Sequence, residues 1–347
     1  MTTAVSRAVA VDAMGGDHAP AAAVQGAIDA VRRHGIEVVL VGPEAAVRRR
    51  VSHLGAASIG ISIVDAPEVV GMDEPPTAPV RSKRRSSLAV GARLVRDGKA
   101  CALVTAGNSG AAMVAAKLII GAVEGIERPA LATLVPGLER PTLILDVGAN
   151  VDCRPRHLLE FAVMGHCYSE AVLGVENPRV GLLSNGAEEG KGGRVTIEAY
   201  RLLADSGLNF VGNVEGRDVY TGAVDVVVCD GFVGNVVLKV SEGLGEMIYA
   251  LLRREGKRSP TSAVGLLLAK GALAALRRKA DYTEVGGAPL LGVRGACLVG
   301  HGRSNAKAIR NAVRFAHAYA TQGVIQHIEA RLAQLRSRDQ QEGVQSA

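Results

Sequence analysis

Six short segments of this chain combine glycine with Asp, Asn, Ser, Lys or His in a way that suits the binding of an anion. They are Asp12-Ala-Met-Gly15-Gly16-Asp17, Thr105-Ala-Gly107-Asn108-Ser109-Gly110 and Asp146-Val-Gly148-Ala-Asn150 in the first half of the chain. Ser184-Asn185-Gly186-Ala-Glu188-Glu189-Gly190-Lys191-Gly192-Gly193, Asp230-Gly231-Phe-Val-Gly234-Asn235 and His301-Gly302-Arg303-Ser304-Asn305 follow. Glycine lets backbone N–H groups approach a ligand closely, and a helix start adds unpaired N–H groups and a positive dipole end. Any one such loop reads equally well as an ordinary turn. Six in one chain point to an anion site.

The elements that must carry these loops are legible from periodicity. Apolar runs at Val9–Val11, Glu37–Val41, Ile59–Val64, Cys101–Thr105, Thr142–Leu145, Val180–Leu183, Val224–Cys229 and Cys297–Val299 predict buried strands. Helical patterns cover Ala21–Arg33, Ala111–Ile120, Arg156–Leu173, Val195–Ala204 and Asn305–Leu335. This alternation predicts a three-layer α/β/α fold with a mainly parallel sheet. Each loop leaves the carboxyl end of a strand, so in an open parallel sheet all six are expected to converge on one crevice.

Composition narrows the chemistry. Hydrophobic residues make up 48% of the 347 positions and charged residues 21%, as in a folded globular protein. With aromatics at 3% and no Trp, the chain lacks stacking platforms for nucleic acid, so its charge of +6 suits an acidic protein partner or an anionic lipid surface better. Cys101, Cys153, Cys167, Cys229 and Cys297 are odd in number and widely spaced, which predicts free thiols in a cytoplasmic protein and no metal site. Residues Met1–Ala8 lack the apolar run of a secretion signal, and no stretch reaches the ~20 apolar residues that span a bilayer. No Gly-x-Gly-x-x-Gly follows a strand, arguing against a dinucleotide. The Gly186–Lys191 segment has the wrong glycine spacing for a nucleotide-binding P-loop, and Gly192 stands where the metal-binding hydroxyl would be. His157 and Glu160, three apart on a helix with no third ligand, read as a solvated helix face.

In order along the chain, the loops resemble the bacterial phosphate acyltransferases of phospholipid synthesis. The resemblance rests on Val11–Pro20, Thr105–Ala111, Leu145–Pro155, Glu188–Gly192, Val214–Gly216, Asp225–Glu242, Gly286–Val293 and His301–Ser304, and covers roughly residues 8 to 330. Ser109, Ser184-Asn185 and Gly193-Arg194 depart from the family's more usual residues. The resemblance implies a cofactor-free homodimer with a fold similar to phosphotransacetylases and the isocitrate- and isopropylmalate-type dehydrogenases. It implies transfer of a long-chain acyl group from acyl carrier protein to inorganic phosphate, feeding the acylation of glycerol-3-phosphate. It further implies one α/β domain over residues 8–336 with a projecting helical hairpin at 242–282, and a flexible tail at 337–347.

Phosphate dianion is already a competent nucleophile, and a thiol of pKa about 8.5 leaves readily as thiolate. Such a site needs positioning and electrostatic stabilisation more than a covalent nucleophile. Lys191 is assigned to neutralise the phosphate or the developing oxyanion, and Asn235 to orient one of them. Gly107, Asn108, Ser109 and Gly110 form a candidate phosphate nest, with an ordinary helix cap as the equal alternative. Gly15, Gly16, Gly148, Asn150, Gly190, Gly234, His301 and Ser304 complete the expected binding set. Asp12, Asp17, Asp146 and Asp230 are expected to shape the loops through their N–H groups, and His18 or His301 could protonate the leaving thiolate.

Two outlying surfaces remain. Arg81, Lys83, Arg84 and Arg85 form a basic run that would be a solvated loop in isolation, and that the resemblance turns into a docking site for acyl carrier protein. The apolar segment 262–276, with Val264, Leu267, Leu268 and Leu273 and flanking basic residues, is too short to span a bilayer. It suits a core helix, a dimer interface or a membrane surface, and the resemblance favours peripheral membrane contact near a membrane glycerol-3-phosphate acyltransferase. A phosphotransacetylase acting on acyl-coenzyme A and a non-catalytic membrane scaffold are the alternative functions.

Overall fold

The computed structural model describes residues 7–56, 60–274 and 282–345. Ile59, Arg277, Arg278 and Lys279, the start of the N-terminal segment and the end of the 262–276 segment lie outside the described residues. Eleven strands form one continuous sheet. On one side stand β3 (Ile61–Asp65), β2 (Val38–Gly42), β1 (Val9–Asp12), β4 (Ala102–Thr105) and β11 (Ala296–Val299), all parallel. On the other side stand β6 (Thr142–Leu145), β9 (Val226–Val228), β7 (Val180–Leu183) and β8 (Phe210–Val214), also parallel to one another. Between them lie β10 (Ala288–Leu291) and β5 (Ala130–Val135).

The expected strands all occur, and β5, β8 and β10 are additional. Two of the additions change the topology. The pairings β11–β10, β10–β5 and β5–β6 are each antiparallel. Three reversals invert direction, so the two parallel halves of the sheet run oppositely. The expectation that all six loops leave one edge is therefore corrected: those after β1, β4 and β11 leave one edge, and those after β6, β9 and β7 leave the other.

Both faces of the sheet are covered, which is why the strands are apolar throughout rather than alternating. Val9, Val11, Ala102 and Val104 point into a core beneath α1 (Ala21–His34), α6 (Pro155–Ala171), α10 (Ala306–Thr321) and α11 (Val324–Gln345). Ala10 and Leu103 point the other way, into a core under α4 (Ser87–Arg96) and α5 (Ser109–Ala115). A third cluster, Ile144, Val214 and Val227, is roofed by Val237 and Leu238 of α8 (Gly231–Gly256). Each fully buried side chain such as Leu145 or Phe161 is worth about 1.5–3 kcal/mol.

Helix boundaries differ from expectation where glycine intervenes. The single helix expected to run from Asn305 to Leu335 is two helices, broken at Gly323, whose φ of 73° is left-handed. The second continues to Gln345, past the position where a tail was expected. Around the segment expected to form a hairpin, α8 starts at Gly231 and leads through Lys257–Ser259 into α9 (Pro260–Leu268), and helical turns continue over 270–274.

At the start of β9, Asp225 is buried and takes both the N–H and the guanidinium of Arg179 at 2.9 Å, with Arg140 at 3.3 Å. Burial pushes this carboxyl up, but the Arg179 hydrogen bonds outweigh it and hold the carboxyl below its ordinary value. A depressed carboxylate contributes stability that is present above its unfolded pKa and lost as pH falls through the folded one. Asp225→Asn is expected to cost about 2 kcal/mol at pH 7 by urea unfolding. The gap to wild type should narrow as the pH drops below about 4, the range in which unfolded Asp protonates. A gap independent of pH would contradict this account.

Candidate active site

At the first edge the loops after β1, β4 and β11 interlock through backbone. The Asp17 N–H donates to the Gly302 carbonyl at 2.8 Å. A Cβ at Gly15 would lie 2.7 Å from the Gly107 nitrogen, and one at Gly16, whose φ is 96°, would lie 2.9 Å from the Gly302 oxygen. These two glycines are therefore spent on loop-to-loop contact. Asp12 is buried beneath them, accepting from the Met14 N–H at 3.1 Å and the Thr105 hydroxyl at 2.8 Å. Thr105 Oγ1 in turn accepts the Gly107 N–H at 3.1 Å. Burial raises the Asp12 carboxyl above its ordinary value against these donors.

The nest expected over Gly107–Gly110 is a helix cap. Asn108 Oδ1 accepts the Ala111 N–H at 3.0 Å, and its Nδ2 donates to the carbonyls of Met72 at 3.0 Å and Glu74 at 2.9 Å. Asn108 thus pins the segment around Met72–Glu74 across the loops, with Pro76 seated 3.0 Å from where a Gly110 Cβ would be. The helix it caps has 7 residues before a π-helical turn at Ala116–Ile120. Ser109 remains exposed, as does His18. Ser304 is buried, and its Oγ has no hydrogen-bond partner among the described residues. His301 accepts the Arg303 backbone N–H on Nδ1 at 3.3 Å. Partial desolvation, followed by the Arg303 and Lys239 charges, holds His301 below its ordinary value.

At the second edge Asp146 plays the part that Asp12 plays at the first. Its Oδ1 accepts from the N–H groups of Leu131 at 3.0 Å and Ala149 at 3.1 Å; its Oδ2 accepts from the Asn150 backbone at 2.6 Å and side chain at 2.9 Å. Burial raises its pKa and the backbone donors pull it back. Asn150 also donates to the Pro129 carbonyl at 2.8 Å, so its amide N–H groups brace the loop and are not available to a ligand. Gly234 brings α8 close: a Cβ there would lie 1.9 Å from the Asp146 carbonyl. Asp230 caps the helix, accepting the Val233 N–H at 2.9 Å.

Three groups at this edge stay open. Gly148, with φ of 135°, faces Asn235, the nearest atoms to an added Cβ being 4.0 Å away. Asn235 is exposed on the first turn of α8. Lys191 is exposed in the loop after β7, one strand from β9, and its ammonium has no partner among the described residues. Gly186 makes room for it, since a Cβ there would meet the Lys191 stem at 2.9 Å. The loop is pinned by Asn213, whose Nδ2 donates to the Glu188 carbonyl at 2.7 Å. Gly190 has open space around it.

The element joining the two edges is α8. Beyond Asn235 it carries Lys239, Glu242 and Glu246; Glu246 meets Arg303 at 3.8 Å, while the charges of Lys239 and Glu242 reach His301. Sequence reading left these residues out, although the spacing Asn235, Lys239, Glu242, Glu246 marks one helix face.

Other expectations change as well. His157 and Glu160 are buried rather than solvated: His157 Nε2 meets Glu127 at 3.0 Å, and Glu160 accepts the Glu127 N–H at 2.9 Å, latching that loop to α6. No group of three His, Cys, Asp or Glu side chains suited to a metal ion occurs among the described residues. All five cysteines are free. Burial pushes Cys153, in the loop after Asn150, up to about 11, so its thiol is a poor nucleophile. In the basic run, Lys83 is turned inward to the Val69 carbonyl at 2.6 Å and to Glu74, leaving Arg81, Arg84 and Arg85 exposed. Of the apolar set, Val264, Leu267 and Leu268 are exposed on α9 and Leu273 is partly buried. No helix among the described residues is long and apolar enough to cross a membrane.

Residues 7–327 match the family described as fatty acid synthesis protein. A phosphate acyltransferase of Trichlorobacter lovleyi is 52% identical over 326 residues, covering 94% of this chain and 94% of its own. One from Geotalea uraniireducens is 51% identical over 324 residues, covering 93% of this chain and 94% of its own. Among solved structures, the EutD phosphotransacetylase from Staphylococcus aureus aligns with a TM-score of 0.61 at 16% identity, over 90% of this chain and 94% of that one. A phosphotransacetylase from Streptococcus pyogenes aligns with a TM-score of 0.61 at 18% identity, over 90% of this chain and 93% of its own. At such identity the structures share a fold. The sequence relatives go further: this chain belongs to the phosphate acyltransferases, within the family of fatty acid synthesis proteins.

Proposed function

We propose that the enzyme moves a long-chain acyl group from acyl carrier protein onto inorganic phosphate, and that the acyl phosphate then serves the acylation of glycerol-3-phosphate. The observation that carries this reading is the pair Lys191 and Asn235, a cation exposed in the loop after β7 and an amide exposed near the start of α8, the latter facing Gly148. A phosphate oxygen attacks the thioester carbonyl, a C–O bond forms, and the carbonyl oxygen takes the negative charge. The intermediate collapses with cleavage of the C–S bond, and the thiolate takes a proton. Lys191 balances the phosphate charge while the Asn235 amide orients phosphate or oxyanion. His301, with Nδ1 already accepting, carries its proton on Nε2 when neutral and can donate it toward sulfur. Fixed donors of this kind need no reorganisation as charge develops, and losing one costs about 2.7–4 kcal/mol.

The carrier protein is assigned to the exposed Arg81, Arg84 and Arg85, whose charge suits an acidic partner. A second copy of the chain is assigned to the stripe Phe232, Val236, Val240 and Leu244 of α8, which is 46–64% exposed. Val264, Leu267 and Leu268 of α9, 56–83% exposed, are assigned to an anionic lipid surface, where the membrane glycerol-3-phosphate acyltransferase would receive the product. The enzyme would then be a cytoplasmic protein in peripheral contact with the membrane.

Acyl phosphate formed from palmitoyl-acyl carrier protein and phosphate, trapped with hydroxylamine, is expected to fall about a hundredfold in Lys191→Ala and in Asn235→Ala. Turnover confined to palmitoyl-coenzyme A would move the assignment to a phosphotransacetylase, and wild-type rates in both variants would remove these residues from the chemistry. Reversing Arg81, Arg84 and Arg85 to Glu should raise KM for the carrier protein at low salt and converge with wild type at high salt; salt-independent kinetics would count against docking there. Leu267→Glu with Leu268→Glu should abolish co-sedimentation with anionic liposomes while preserving turnover, and undiminished binding would refute the lipid assignment.

A further inference from the structure

Helix α8 touches both groups of loops, and several polar residues between its two contacts lie on one face. Asn235, Lys239, Glu242 and Glu246 fall within about 60° of one another around an ideal helix. Asn235 opens toward Gly148 at the second edge, and Glu246 reaches Arg303 of the first at 3.8 Å. Lys239 stands between them, about 6 Å along the axis from Asn235. Its ammonium donates to Glu242 at 2.9 Å and is about half exposed, with a side-chain exposure of 55%. An ammonium has three donors, so one is fixed by Glu242 and the others are directed by it.

We propose that Lys239 is a further substrate-binding residue, whose ammonium, oriented by Glu242, holds a phosphate group between the two sets of loops. This rests on the reading that the site takes phosphate. The pair with Glu242 does not preclude it: an exposed i,i+3 ion pair is worth only a few tenths of a kcal/mol, and a phosphate dianion competes readily at that cost. His301, held below its ordinary pKa by desolvation first and by Arg303 second, also feels the Lys239 charge, so the same cation acts on the group assigned to the leaving sulfur. Two sources present an anionic phosphate here: inorganic phosphate, largely a dianion near neutral pH, and the singly charged phosphodiester of the carrier protein's prosthetic arm.

The test measures the thermal midpoint of the full chain against inorganic phosphate for wild type, Lys239→Ala, Lys239→Gln and Lys239→Arg, together with both KM values. Lys239→Ala and Lys239→Gln are expected to weaken a phosphate interaction about tenfold with a smaller change in kcat, and Lys239→Arg to restore most of it. A loss read in the phosphate titration and in KM for phosphate assigns the residue to the free anion. A loss confined to KM for the acyl carrier substrate assigns it to the arm. Glu242→Gln, which keeps an acceptor for the ammonium, should retain the affinity that Glu242→Leu loses. Lys239→Ala indistinguishable from wild type in the titration and both KM values overturns the proposal alone. A wild-type protein that neither responds to phosphate nor turns it over overturns the underlying reading and the role of Lys239 with it.

Discussion

Three antiparallel pairings around β10 and β5 govern the rest of the molecule, because an odd number of reversals obliges the two parallel halves of the sheet to run in opposite directions. A plain parallel sheet would gather every loop on one edge. Here Asp12, Thr105 and His301 are assigned to one edge and Asp146, Lys191 and Asn235 to the other. A site drawing on both needs an element that crosses between them, and α8 is long enough: its 26 residues extend about 39 Å. Its capped start packs on Asp146 through Gly234, and it reaches Arg303 about four turns later.

Buried carboxylates make the loops rigid at each edge. Asp12 and Asp146 both end a strand and spend their oxygens on backbone or side-chain donors of the following loops. Their desolvation is expensive, and the hydrogen bonds that offset it are made only when the loops hold one conformation. Asn108 and Asn150 are consumed in the same way, as brace and cap. Lys191 and Asn235 are different because no partner among the described residues uses their charged or amide ends. This is the arrangement that electrostatic catalysis requires: a backbone fixed by internal bonds, presenting a few polar groups whose bonding capacity is left for the substrate.

The alternation of apolar runs with helical patterns was enough to read a layered α/β fold, since strands covered on both faces carry an unbroken apolar signal. It was not enough to read the direction of the strands. Ala130–Val135 has little β-branching, and Ala288–Leu291 carries Pro289, which argues against a central strand. That proline is tolerated because β10 changes partner along its length, pairing Pro289 with Leu298 on one side and Leu290 with Leu131 on the other. Asp12, Asp146 and Asp230 were legible as loop-shaping groups. Gly15, Gly16 and Gly234 were not legible as contact residues, because the sequence does not distinguish a glycine that admits a ligand from one that admits another loop. His157 and Glu160 were misplaced for a similar reason: their spacing says which face they share, while their burial depends on Glu127 arriving from elsewhere.

The helix that bridges the edges also separates two kinds of surface. Its polar stripe from Asn235 to Glu246 lies between the loops, while Phe232, Val236, Val240 and Leu244 wind from about 60° to about 180° round the axis from Asn235 and are exposed. Val237 and Leu238, on the remaining side, hold the helix to the sheet. The apolar stripe and the polar stripe are thus parts of one rigid rod. Covering the apolar stripe would load the same rod that sets Asn235 against Gly148 and carries the Lys239 charge to His301. A second copy seated on that stripe would therefore bear on the element that presents Asn235 and Lys239.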